Sequence, residues 1–214
     1  MIIEAHGVGV TIDRRTIIHG QSLRCRPGTM TAITGPSGSG KTTLLHTLGL
    51  LLSPSSGQVT ADGRVISGFS PRMRRKYWRD HAAFVLQDYG IIEDELVEFN
   101  VRLRRARRGI DHKLNAALEY VGLADRKGEL ASHLSGGEKQ RLALSRAVYR
   151  DAPVLYVDEP TASLDSTNRA LVTNLLANFS RSGATVIIST HDEELISVCD
   201  QHHRIPSPAS LPLP

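Results

Sequence analysis

The chain's 214 residues and 23.4 kDa suit one sizeable α/β domain with at most a small appended unit. Hydrophobic residues make up 40% and charged residues 22%, and no apolar run approaches the ~18 residues of a membrane-spanning helix. Two distant cysteines, Cys25 and Cys199, exclude a disulfide framework or a C-x-x-C zinc site and suit a reducing cytoplasm.

Met1-Ile2-Ile3-Glu4 lacks the basic stretch and apolar core of a secretory signal. From Ile2 to about Leu23 the pattern alternates loosely, with turn signals at Gly7, Asp13 and Gly20, and predicts an antiparallel β layer. Arg26-Pro27-Gly28 turns into a short buried strand, Met30-Thr31-Ala32-Ile33-Thr34. Leu44, Leu45, Leu48, Leu51 and Leu52 then place one apolar stripe on a helix. A hairpin is expected over Gln58–Ile66 around Asp62-Gly63. A basic helix is expected from Pro71 to Asp80, and a buried strand from Ala82 to Leu86 ending at Gln87. From Asp88 to about His133 the texture becomes helical, with Leu114, Leu118 and Val121 on one face and Gly122 as the stop.

Val154-Leu155-Tyr156-Val157 and Thr185-to-Thr190 read as two further buried strands. Between them Leu171, Leu175 and Phe179 form a helical stripe closed by Gly183. Strands alternating with helices imply a mainly parallel sheet covered on both faces. The expected organisation is a single domain with residues 1–87 and 134–205 as core and 88–133 as an inserted α-helical subdomain. The proline-rich tail 206–214 is expected to be disordered.

Gly35-Pro36-Ser37-Gly38-Ser39-Gly40-Lys41-Thr42, followed by Thr43, fits G-x-x-x-x-G-K-[ST] between a strand and a helix. Glycines bring backbone N–H groups close to phosphate oxygens, and the helix start adds positive potential. Lys41 can then reach the β- and γ-phosphates, and the Thr42 hydroxyl can ligate Mg²⁺. Ligands of open parallel sheets sit beyond the strands' carboxyl ends, where this sequence delivers Gly35, Gln87, Asp158-Glu159 and His191. Asp158 suits a Mg²⁺ contact, direct or through water, and Glu159 a base that polarises the attacking water. The Gln87 amide can bond Mg²⁺ or that water, and His191 a γ-phosphate oxygen. Ser135-Gly136-Gly137-Glu138 is a capping box opening a helix, and also a set of N–H groups able to face a second anion. The economical reason for two such sites is that the second serves a neighbouring subunit.

In this order, the phosphate loop, Gln87, Leu134-Ser135-Gly136-Gly137-Glu138, Val154-to-Glu159, Ser163-Leu164-Asp165 and His191 resemble the ATP-binding subunit of ABC transporters. The shortness of the chain and the stretch Phe84-to-Ile92 look most like the lipoprotein-releasing, macrolide-exporter and bacteriocin-exporter branch. The resemblance implies a P-loop NTPase core and a head-to-tail homodimer sandwiching two Mg-ATP. Ser135, Gly136, Gly137 and Glu138 would contact the opposing nucleotide, and Ser163, Leu164 and Asp165 would cross the interface. It further implies a separately encoded integral membrane permease and a place on the inner face of the cell membrane. One departure is that no aromatic residue precedes Phe69; Thr11 and Ile12 stand where the stacking ring is expected, so the adenine contact is aliphatic or weaker.

The net charge of +4 and pI near 9.3 come from two arginine clusters: Arg72 to Arg79, and Arg102, Arg104, Arg105, Arg107 and Arg108. They read as solvated helix faces, with lipid headgroups or nucleic acid as alternatives. Only 48 positions separate Gln87 from Ser135. That leaves no room for the coiled coil of DNA-repair relatives, so nucleic acid is the weaker partner. A non-transport actuator of a membrane regulator would use the same motor chemistry. Tyr89, Ile91, Ile92, Leu96, Val97 and Phe99, interrupted by Glu93, Asp94, Glu95 and Glu98, predict an apolar docking groove with an acidic rim.

Overall fold

The computed structural model describes residues 1–104 and 110–206. Strands β1 (Ile3–Ile12) and β2 (Arg15–Cys25) form a long antiparallel hairpin. Its two-residue turn, Asp13-Arg14, has positive φ at both positions (47° and 65°), the twist that suits a tight hairpin. Gly7 and Gly20 are not turns: both lie inside the strands, at register shifts where the extra residue needs positive φ. β3 (Met30–Thr34) leads through the glycine loop into α1 (Lys41–Leu48). This helix is shorter than its leucine stripe. It stops at Gly49, Leu50 turns to φ 63°, and Leu51 and Leu52 lie beyond the end, with Leu51 exposed.

β4 (Ser56–Ala61) and β5 (Arg64–Val65) pair around Asp62-Gly63, both at positive φ, as the sequence predicts. α2 (Pro71–Asp80) matches its predicted span because Ser70 caps it and Pro71 presets its first φ. β6 (Ala82–Val85) follows, then α3 (Val97–Arg102) and α4 (His112–Tyr120), the latter capped by Asp111. Short 3-10 turns at Ala124–Arg126 and Ala131–His133 lead into α5 (Gly136–Arg150). The remaining elements are β7 (Val154–Asp158), α6 (Ser166–Arg181), β8 (Thr185–Ser189), α7 (Glu193–Ser197) and β9 (Gln201–Arg204). Leu171 of α6 faces outward; the buried stripe is Val172, Leu175, Leu176 and Phe179. The expected tail and Arg105, Arg107 and Arg108 fall outside the described residues, apart from Pro206.

Two sheets result: antiparallel β2-β1-β4-β5 and parallel β6-β7-β8-β3-β9. β9 was not anticipated, because Gln201-His202-His203-Arg204 carries no apolar signal. It runs parallel to β3 along the sheet's edge. The parallel strands alternate their burial between two cores. Leu155, Val157, Val186 and Ile188 pack under α3 to α6, while Val154, Tyr156 and Ile187 pack against α1, α2 and the antiparallel layer. Burying each such side chain contributes about 1.5–3 kcal/mol. Burial on both faces explains why these strands read as continuous apolar runs. It also holds the carboxyl ends of β6, β7, β8 and β3 side by side.

Candidate active site

The loop after β3 is shaped by glycines at φ 147° (Gly35), 75° (Gly38) and 95° (Gly40), the last serving as the cap of α1. A Cβ at Gly40 would sit 2.5 Å from Ile18 Cδ1, and one at Gly35 would sit 2.7 Å from the Ile205 carbonyl oxygen. Backbone conformation and space therefore both require glycine there. Ser37 is exposed, while Ser39 is buried with a hydroxyl that has no partner among the described residues.

Lys41 is 8% exposed. Its Nζ donates to the carbonyls of Gly35 (3.2 Å) and Pro36 (3.4 Å) and lies 3.7 Å from Glu159 Oε1. Glu159 Oε2 is 2.9 Å from His191 Nδ1. One carboxylate thus links the loop lysine with the histidine that follows β8. Glu159 itself sits at φ 45°, held there as its N–H donates to the Ser189 carbonyl at 2.9 Å. For a residue with a side chain this is a strained conformation, and such strain often marks a functional position. The Asp158 carboxylate, 4% exposed, accepts from the Thr42 hydroxyl at 2.9 Å and from the Ser189 hydroxyl. His46 Nε2 lies 4.0 Å from its other oxygen. Ser189 and His46 were missed in the sequence. Ser189, a polar residue ending a buried apolar strand, was the visible signal.

Gln87 departs from expectation. β6 ends at Val85, and Gln87 is exposed two residues later, in a turn, without a hydrogen bond to Thr42, Asp158 or Glu159. The predicted apolar groove with an acidic rim is also different. Beyond that turn is a cleft of about 430 Å³ walled by Trp78, Phe84 and Tyr89 and rimmed by Arg79, Arg102 and Arg150. Two of the four acidic residues are held in ion pairs: Glu98 with Arg102 of that rim at 3.0 Å and Glu93 with Lys139. Arg102 also bonds Asp111 at 2.9 Å, so it is a structural ion pair rather than a solvated face. Arg146 donates to the carbonyls of Tyr89, Gly90 and Asn100, and its burial lowers its pKa to about 10. Ile92 is 45% exposed and lies outside this cleft.

At the start of α5 the capping box is complete. Ser135 Oγ and Ser135 N–H both donate to Glu138 Oε2 at 2.8 Å, and Glu138 N–H returns a bond to Ser135 Oγ. The Ser135 N–H, with Arg126 at 2.8 Å, holds the Glu138 carboxyl below its usual pKa. Ser135 and Gly136 are exposed, whereas Gly137 is buried. After Glu159, Ser163 is exposed, Leu164 is buried and Asp165 caps α6. Among the described residues, the start of α5 makes no hydrogen bond to the phosphate loop of its own chain.

A model of the ABC transporter family matches residues 18–162. The chain belongs to that family. It is 32% identical over 206 residues to the lipoprotein-releasing system ATP-binding protein LolD of Bacteroides fragilis, covering 94% of this chain and 95% of that one. With the macrolide export ATP-binding/permease protein MacB of Chlorobium luteolum it shares 36% identity over 189 residues. That match covers 86% of this chain but 28% of MacB, so the chain spans less than a third of such relatives. The dimeric structure of the ABC transporter cassette MJ0796 superposes with a TM-score of 0.83 at 27% identity, covering 95% and 94% of the two chains. The chain is therefore an ATP-hydrolysing ABC cassette with the P-loop fold, related to the LolD and MacB ATPases.

Proposed function

We propose that this ATPase closes as a head-to-tail homodimer around two Mg-ATP and drives a separately encoded membrane permease from the inner face of the membrane. Export or extraction of a lipid or peptide fits the printed names of its LolD and MacB relatives. No helix among the described residues is long and apolar enough to cross a membrane, which fits a motor that reaches the bilayer through a partner. Residues 88–133 act as a helical subdomain carried on the nucleotide-binding core.

Within the site, backbone N–H groups of Gly38 to Thr43 bind phosphate oxygens, and Lys41 turns from its loop carbonyls to the β- and γ-phosphates. Glu159 accepts a proton from the attacking water, and His191 orients Glu159 and donates toward the γ-phosphate. No three His, Cys, Asp or Glu side chains converge among the described residues. The donor set is instead the Thr42 hydroxyl and the Asp158 carboxylate, 2.9 Å apart. Oxygen ligands in this number fit Mg²⁺, which keeps several waters and takes its other ligands from phosphate. When bound there, Mg²⁺ neutralises charge on the β- and γ-phosphates. Gln87, two residues beyond β6, reports nucleotide occupancy to the partner bound in the arginine-rimmed cleft.

The carrying observation is the Lys41–Glu159–His191 chain beside the Thr42–Asp158 pair. Glu159→Gln tests it. Turnover should fall roughly 10²–10⁴-fold with ATP affinity retained, and an ATP-bound dimer should accumulate in size-exclusion chromatography. Near-normal hydrolysis would make Glu159 structural.

A further inference from the structure

In the first turn of α6, the Asn168 side chain meets α5. Its backbone N–H donates to Asp165 Oδ1 at 2.9 Å and its Nδ2 to Asp165 Oδ2 at 2.6 Å. Its Oδ1 accepts from Arg141 Nη1 at 2.8 Å, while Arg141 Nε is anchored on the Val121 carbonyl at 3.1 Å. The amide also lies close against Gly137. A Cβ on that glycine would be 2.8 Å from both Asn168 Cγ and Oδ1. These bonds keep the Asp165 carboxyl below its usual pKa, the Asn168 N–H donation being the largest cause. One turn along α5, buried Gln140 donates to the carbonyl of Pro160, the residue after Glu159.

The anion-facing start of α5, the Ser163–Asp165 loop and the backbone beside Glu159 are thus one bonded block. In the sandwich reading proposed above, on which this inference rests, the two ends of the block serve different nucleotides. Ser135 to Gly137 face the partner's ATP, while Glu159 acts on the chain's own. We propose that Asn168, clamped between Arg141, Asp165 and Gly137, is a positioning residue that transmits engagement of one nucleotide to the Glu159 of the other site. A small shift of Gly136-Gly137 on meeting the opposing phosphate has no slack to absorb it, since Gly137 already abuts the Asn168 amide. The shift passes to Asp165 and the loop that follows Glu159. Asn168 touches no reacting atom and acts only through these neighbours.

Asn168→Ala removes the clamp at a half-buried position. The expected result is a kcat about tenfold lower, with KM for ATP and protomer affinity for ATP unchanged. In a Glu159→Gln background the same variant should still form the ATP-bound dimer at the same ATP concentration. Arg141→Ala should lower kcat similarly, and the double variant should fall no further than the worse single one, because both remove the same bond. Asn178→Ala, which removes a surface bond to Arg181 on the same helix, serves as the control and should leave kcat unchanged. An unchanged kcat in Asn168→Ala, or an equal loss in Asn178→Ala, overturns the coupling. So does loss of ATP-driven dimerisation in the Asn168→Ala/Glu159→Gln protein, which would make Asn168 mere scaffold for the α5 start. A Glu159→Gln protein that stays monomeric with ATP overturns the sandwich itself, and the coupling with it.

Discussion

Removing one hydroxyl, in Tyr156→Phe, should destabilise the protein far more than removing its hydrogen-bonded partner in Tyr77→Phe. Tyr156 is fully buried in β7, and its hydroxyl donates to the Leu48 carbonyl at the end of α1 (3.1 Å). The Tyr77 hydroxyl of α2 is 2.8 Å away and, with Tyr156 already donating, gives its own proton to Tyr156. Burial pushes Tyr77 up to about 12 and raises Tyr156 well above its usual value, so both stay neutral. Tyr156→Phe strands two buried groups, the Tyr77 hydroxyl and the Leu48 carbonyl, at about 1–3 kcal/mol each. Allowing for relaxation, about 2–4 kcal/mol is expected, a fall in Tm of about 4–16 °C for a chain of this size. Tyr77→Phe leaves the Tyr156–Leu48 bond intact and should cost about 0.5–1.5 kcal/mol. The double variant strands only the Leu48 carbonyl, so its loss should be smaller than the sum. The Phe84–Tyr156 ring stack, 5.1 Å between centroids, is kept in every variant and cancels. Thermal and urea denaturation followed by circular dichroism would measure the cycle. Equal losses in the two single variants, or strict additivity, would refute the chain of bonds from α2 through β7 to α1.

Ser135→Arg should weaken ATP-driven dimerisation at least about tenfold, by placing bulk and an unpaired charge at the proposed interface, while protomer ATP binding is spared. Equilibrium dialysis beside size-exclusion chromatography would separate the two, and equal loss of both would return Ser135 to its own chain's site. Tyr89→Asp, in the wall of the arginine-rimmed cleft, should abolish permease stimulation of ATPase activity with basal activity retained, whereas Ile92→Asp, outside the cleft, should not. Stimulation surviving in Tyr89→Asp would move the docking surface elsewhere. His203, whose Nε2 is 2.9 Å from Gln21 Oε1, has its pKa lowered from 6.5 by burial. The unfolded chain therefore binds the proton more readily, and stability present above pH 6.5 is lost as pH falls below it. His203→Gln should shrink the drop in Tm between about pH 7.5 and about pH 5.5; a drop as large as in the parent protein would assign the loss to other groups.

Local chemistry made much of the molecule legible from its residues. Ser70-Pro71 starts α2 where expected, Asp62-Gly63 makes the hairpin turn, and the apolar runs at 154–157 and 185–188 become central strands. The phosphate loop and the Ser135–Glu138 capping box were readable for the same reason: their hydrogen bonds close within a few residues. Elements whose partners are remote were not readable. β9 carries polar residues because it lies at a sheet edge, where only the backbone bonds to β3 define it. Leu51 fits the helical period, yet Gly49 and the left-handed Leu50 end α1 before reaching it.

The sequence by itself determined which residue types stand at the carboxyl ends of the strands, because a parallel sheet with two buried faces follows from its own apolar pattern. Only the tertiary structure decided what those residues touch. Lys41 and Glu159, 118 positions apart, are brought to 3.7 Å because β3 and β7 flank β8 in one sheet. The apolar groove predicted to have an acidic rim became an arginine-rimmed cleft, with Glu93 drawn to Lys139 of α5, 46 positions away. Asn168 reached Gly137 only because α6 packs against α5. Charges and amides take their roles from whichever neighbours the packed core sets within about 3–4 Å, and no spacing along the chain encodes that distance.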